Sequence, residues 1–194
     1  MTQRIQTAIA RFNDMNRQDP RETQAKEGSG PTQLQEAERL EAWILKRDPD
    51  PSEALLLAAR CQHLQRFKFP RSDYPEGRTG YLKWRKDLMK KHADLASGVL
   101  SECGFDEQVI LQVRKINLKQ ELKSDADVQK MEDALCLSFL EHEYSAFAQK
   151  YDDEKVIAIV QKTWTKMSVE GQKLALTIPL DGRAKDLVAQ ALKS

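Results

Sequence analysis

The chain has 194 residues, 40% hydrophobic and 31% charged, which excludes a disordered chain and provides one domain with a core of its own. With 31 Lys+Arg against 30 Asp+Glu the formal net charge is +1, so overall charge makes no case for a nucleic-acid or membrane-surface protein. No apolar run reaches the roughly 18–20 residues of a membrane span, and MTQRIQTAIARF lacks the continuous apolar stretch of a secretory signal. Cys61, Cys103 and Cys136 are odd in number and far apart, which reads as reduced thiols in a cytoplasmic protein. Without a Cys-x-x-Cys there is no thiolate zinc motif.

Hydrophobic periodicity predicts helix nearly throughout, hence an all-α, single compact bundle spanning 1–194 with a central cleft. A first helix covers 2–17, with Ile5, Ile9 and Phe12 on one side. The polar segment 19–31 reads as a flexible loop inside the domain. A second helix runs from Leu34 to Arg47 and stops at DPDP. Ser52 caps the most apolar helix, 52–67, which is expected at the centre. Residues 67–80 have no periodicity and two prolines, a loop long enough to suggest function. A long helix follows from Tyr81 to Cys103, then one capped by Asp106 through Leu118. Ser124 and Asp127 resemble a capping box for a helix to about residue 149, with an all-apolar centre, ALCLSFL. Asp152 caps a helix through Trp164, Ser168 starts a short one, and 181–194 is a final helix or tail.

The chemistry rests on three histidines. His92 shares the apolar stripe of its helix with Trp84, Leu88, Leu95, Ala96 and Val99, so it points inward. His63 ends the most buried helix, and Glu132 and Asp133 precede the apolar centre of another. Imidazoles and carboxylates converging there suit Mn, Fe, Ni or Zn, which activate water and polarise phosphoryl oxygens. An inward histidine is more often a hydrogen-bonded core residue, and both readings stand at this point. His142, flanked by Glu141 and Glu143, reads as surface.

Between Arg60 and Lys91 there are ten Lys/Arg and three acids. Arg66, Arg71, Arg78 and Arg85 cluster around the 67–80 loop with Tyr74, Tyr81 and Trp84 interleaved. Arginine forks suit phosphate or carboxylate, and the aromatic faces suit a stacked ring. From Glu121 to Lys155 there are ten acids and four lysines, so the two halves predict a cleft with a basic rim and an acidic floor. Lys162 and Lys166 in KTWTKMS are candidates to assist an anion site. There is no GxxxxGK[ST], GxGxxG or GxSxG, which argues against P-loop, Rossmann and serine-hydrolase chemistry.

The strings PSEALLLAARC, QHLQRFKFPRSDYPEGRTGYLKWRKDLMKKHA and QKMEDALCLSFLEHEYSAFAQKYDDEKVIAIVQKTWTKMS resemble domain of unknown function 4202 over about residues 5–180. More distantly, AARCQHLQR, the segment 91–116 and EDALCL resemble the HD phosphohydrolase superfamily. That resemblance implies a helical bundle holding one or two divalent metals for phosphoester hydrolysis. It maps His63, His92 and Asp133 to metal ligands, while Gln62, Glu38, Arg39 and Lys119 depart from the superfamily's pattern.

The expectation is therefore a metal-dependent phosphohydrolase acting on a small phosphorylated or nucleotide-like substrate. Glu132 and Lys119 would do the chemistry, and Arg66, Arg71, Arg78 and Arg85 would clamp the anion with Tyr74, Tyr81 or Trp84 against its ring. The alternatives are a non-catalytic nucleotide- or anion-binding module in the same pocket, or RNA contact through 60–91, which the near-neutral charge disfavours.

Overall fold

The computed structural model describes residues 2–25 and 28–193. Helix α1 (Gln3–Asn16) buries Ile5, Ala8, Ile9 and Phe12. The segment expected as loop contains two short strands, β1 (Glu22–Ala25) and β2 (Gly28–Pro31), paired antiparallel with Glu22 opposite Pro31. Asp19 ties this ribbon down, accepting hydrogen bonds from Arg21 and from the Gln33 amide at 3.2 Å. Four-residue strands are too short to show alternation in the sequence.

Helix α2 (Thr32–Arg47) leads to α3 (Glu53–Cys61), capped as expected by Ser52, whose hydroxyl accepts from the Leu55 amide at 3.1 Å. Packed by α1, α2 and later helices, α3 is the core: Leu55, Leu57, Ala58, Ala59 and Cys61 are fully buried. It ends six residues earlier than the pattern suggests, because the chain turns at Gln65 in the left-handed region (φ 52). Two 3₁₀ turns follow, Arg66–Lys68 and Arg71–Asp73.

Helix α4 (Gly77–Glu102) starts ahead of Tyr81. Within it Gly80 is obligatory, since a Cβ there would lie 1.8 Å from the Pro75 carbonyl oxygen. Asp106 caps α5 (Glu107–Asn117). Asp125, rather than Ser124, caps α6 (Ala126–His142) by accepting from the Asp127 and Val128 amides. The expected single helix breaks at Glu143 into α6 and α7 (Tyr144–Lys150). Caps at Asp152 and Ser168 open α8 (Asp153–Lys166) and α9 (Val169–Ala175), and α10 (Gly182–Ala191) packs on α7 and α8. The architecture is all-α apart from the ribbon. Among the described residues no helix is long and apolar enough to cross a membrane.

The apolar centre of α6 is enclosed by neighbouring helices: α2 and α9 contact it, as do α3, α5 and α8. The three cysteines are free, and burial pushes the Cys61 and Cys136 thiols up to about 12.

Candidate functional site

A cleft of about 640 Å³ lies among the end of α3, the middle of α4, α6 and α8. Its first wall is built by the turn after α3. The Asn16 carboxamide accepts from the Gln65 amide at 3.2 Å, and Gln33 accepts from the Arg66 amide at 3.1 Å. These two buried amide side chains fix a strained backbone and set Gln62, His63 and Arg66 along the cleft. The Arg66 guanidinium also lies 5.2 Å from the Trp84 ring centroid, a cation–π contact that orients it.

His92, at mid-α4, is 2% exposed. Its Nδ1 lies 2.8 Å from the Leu64 carbonyl, which can only accept, so Nδ1 carries the ring proton. The His63 ring stands edge-on to it, with centroids 6.3 Å apart at 72°. Burial lowers the His92 pKa to about 4. The same cause, reinforced by Arg66, His92, Lys119 and Arg85, holds His63 well below the ordinary histidine range. Both imidazoles are neutral at pH 7.

Glu132 is the carboxylate that α6 presents to the cleft. Its side chain is 4% exposed and pairs with Lys119 Nζ at 2.5 Å, with Lys166 Nζ at 3.8 Å. Lys119 reaches it from a loop where Lys119, Glu121 and Lys123 all have positive φ. In the same loop the Lys123 ammonium donates to the carbonyls of Thr165, Lys166 and Met167, bracing the end of α8. Lys162 and Lys166 line the cleft from that helix.

Glu36 and Glu143 complete the polar lining. Desolvation raises both pKa values, against the attraction of Arg66. Phe139 and Phe147, edge to face at 6.0 Å, form an apolar wall with Leu135 and Ile159.

The structure brings His63, His92, Glu132, Lys119, Arg66, Arg85 and Tyr81 together, and Lys162 and Lys166 with them. Asp133, expected as a ligand beside the histidines, is not with them. Successive helical residues diverge by about 100°, and Asp133 faces α2 and α9. There its carboxylate accepts from the Ser168 amide at 2.7 Å, Ser168 Oγ at 2.5 Å, Gln129 Nε2 at 3.0 Å and Arg47 Nε at 3.4 Å. Among the described residues no three His, Cys, Asp or Glu side chains group as a metal site.

Several expected anion contacts have other roles. Arg71 donates to the carbonyls of Tyr74, Pro75 and Gly77, holding the 70–77 loop together. Trp84 is 7% exposed, and its indole donates to the Phe69 carbonyl at 2.9 Å. Tyr74 bonds Asp87, and Arg78 is exposed; neither lines the cleft. His142 is partly buried beside Glu141, outside the cleft.

Sequence reasoning missed Glu36, Glu143, Phe139 and Phe147. Glu36 had a usable signal, lying one turn before buried Leu40 on the inner face of α2.

The fold and the site define a helical protein with a basic-walled cleft over a neutral, partly unpartnered polar floor. The chain belongs to the family described as Domain of unknown function (DUF4202), whose model matches residues 6–188. No curated protein and no solved structure matches it, so the HD resemblance gains no support from either comparison.

Proposed function

We propose that the cleft binds a small phosphorylated ligand, with Arg66, Arg85 and Lys119 as its principal contacts. The supporting observation is the convergence of Arg66, Arg85, Lys119, Lys162 and Lys166 from four separate segments onto one cleft. Of the three carboxylates that oppose them, Glu36 and Glu143 have raised pKa values and so offer weakened competition for an anion. Guanidinium forks in a partly desolvated setting favour phosphate. Calorimetric titration with inorganic pyrophosphate at low salt tests the reading. Arg66→Ala and Arg85→Ala should each weaken binding about tenfold, in line with the loss of a charge-assisted hydrogen bond. Lys83→Ala, on the exposed face of α4, should not. Absent binding, or equal loss in all three variants, removes the proposal.

A second reading, a metal-dependent phosphohydrolase, is favoured by one observation. His92 donates Nδ1–H to a backbone carbonyl and leaves Nε2 bare, the arrangement of a metal-ligating imidazole. Asp133 does not fit this metal set, and Glu132 already carries Lys119. Metal content of untagged protein after exposure to Mn, Fe, Ni or Zn, with His63→Ala and His92→Ala, decides it. Stoichiometric metal lost in both variants supports hydrolysis, and none in the parent retires it. Free, largely buried cysteines support a cytoplasmic setting for either activity.

A further inference from the structure

The floor of the cleft carries a chemical demand that a fully ionised phosphate ester cannot meet. Gln62 Oε1, His63 Nδ1 and His92 Nε2 are buried without hydrogen-bond partners, and Gln62 and His92 are 3% and 2% exposed. Such atoms occur elsewhere in the described residues too, but these three are the ones that line a single cleft, which points to a bound group that completes them. With its proton on Nδ1, neutral His92 offers a bare lone pair at Nε2. Gln62 Oε1 also accepts only. An anionic group at the floor would add acceptor to acceptor, and an alkyl group would leave the atoms unpaired. In the absence of a metal ion, the floor needs donors.

The charge of those donors follows from the neighbours. Arg66, Arg85 and Lys119 line the cleft with His63, and the carboxylate nearest its ring, Glu36 Oε2 at 3.6 Å from Nδ1, has a pKa raised by desolvation. An ammonium would be repelled there, whereas a hydroxyl donates without charge. We propose that the ligand is a phosphate ester of a sugar or polyol, its phosphate on the basic wall and its hydroxyls donating to His92 Nε2 and Gln62 Oε1. This rests on the phosphate-binding reading above. It adds that His92 and Gln62 set specificity for a hydroxylated ligand body.

The test is calorimetry in EDTA-containing buffer with three probes: inorganic phosphate, ribose 5-phosphate and n-pentyl phosphate. The two esters share charge and chain length and differ in hydroxyls. Ribose 5-phosphate should bind the parent protein at least about tenfold more tightly than pentyl phosphate, because a site built for a hydroxyl rejects the analogue that lacks it. In Gln62→Leu and in His92→Phe that ratio should fall towards one. The ratio is internal to each variant, and the parent comparison needs no variant at all. A parent ratio near one, or inverted, with both esters bound overturns the hydroxyl proposal and leaves the phosphate site standing. No binding of any probe overturns both.

Discussion

Replacing Asp133 separates a structural carboxylate from a ligand-binding one. Its side chain is 0% exposed and accepts from Ser168 twice, from Gln129 and from Arg47. Hydrogen bonds to a charged group contribute about 1.5–3 kcal/mol each, but they are not additive. Breaking a buried charged network by removing one partner costs about 3–5 kcal/mol. Asp133→Ala is expected in that range, a fall in Tm of roughly 6–20 °C for a chain of this size. Asp133→Asn keeps the shape and the acceptor for the Ser168 amide, so its cost is about 1–2 kcal/mol. Gly171 supplies an internal control: a Cβ there would lie 2.6 Å from Asp133 Cγ. Gly171→Ala should destabilise the parent and cost less in the Asp133→Ala background, a coupling that distant sites do not show. Urea unfolding followed by circular dichroism measures all five proteins, the parent included, and pyrophosphate titration of the folded variants measures the cleft. Unchanged stability of Asp133→Ala, or loss of pyrophosphate binding by a stable variant, would refute the assignment.

Acid should destabilise the fold through His92. The unfolded imidazole takes its proton near pH 6.5 and the folded one near 4, so stability is present above 6.5 and lost as pH falls towards 4. That interval is worth up to about 3 kcal/mol. Glu36 and Glu143, raised in the fold, act in the opposite sense, so the readout is the slope of the parent minus that of His92→Gln. Parallel slopes would contradict the buried neutral imidazole. Gly80→Ala should drive the Pro75 carbonyl away from α4, costing about 1–3 kcal/mol by overpacking and speeding tryptic cleavage at Arg71. Unchanged cleavage would mean that the loop is not seated on that glycine.

Helices with one apolar stripe were legible from period alone, and so were their caps at Ser52, Asp106, Asp152 and Ser168. The inward direction of His92 followed from the same stripe. Helix α6 and its buried centre were legible too, but an apolar centre with no gap does not tell which side faces the cleft. Glu132 and Asp133 are both buried, so burial could not tell which one meets the histidines. Their 100° divergence was the available clue that they could not share one site. The basic loop was misread in part because a guanidinium binds backbone carbonyls as readily as phosphate, and Arg71 finds three within its own loop. Glu36 and Glu143 lie far from His63 and His92 in sequence, and only packing brings them to the cleft.

Lys119 and Lys123 belong to one short span with left-handed backbone at three positions, a conformation that lysine adopts against its preference. One ammonium neutralises Glu132 and the other gathers the carbonyls that end α8. The span therefore acts as a strut between the acidic side chain of α6 and the helix bearing Lys162 and Lys166. Shortening it by a residue would detune three cations together, so the charge of the cleft is held by a length of backbone as much as by any single lysine.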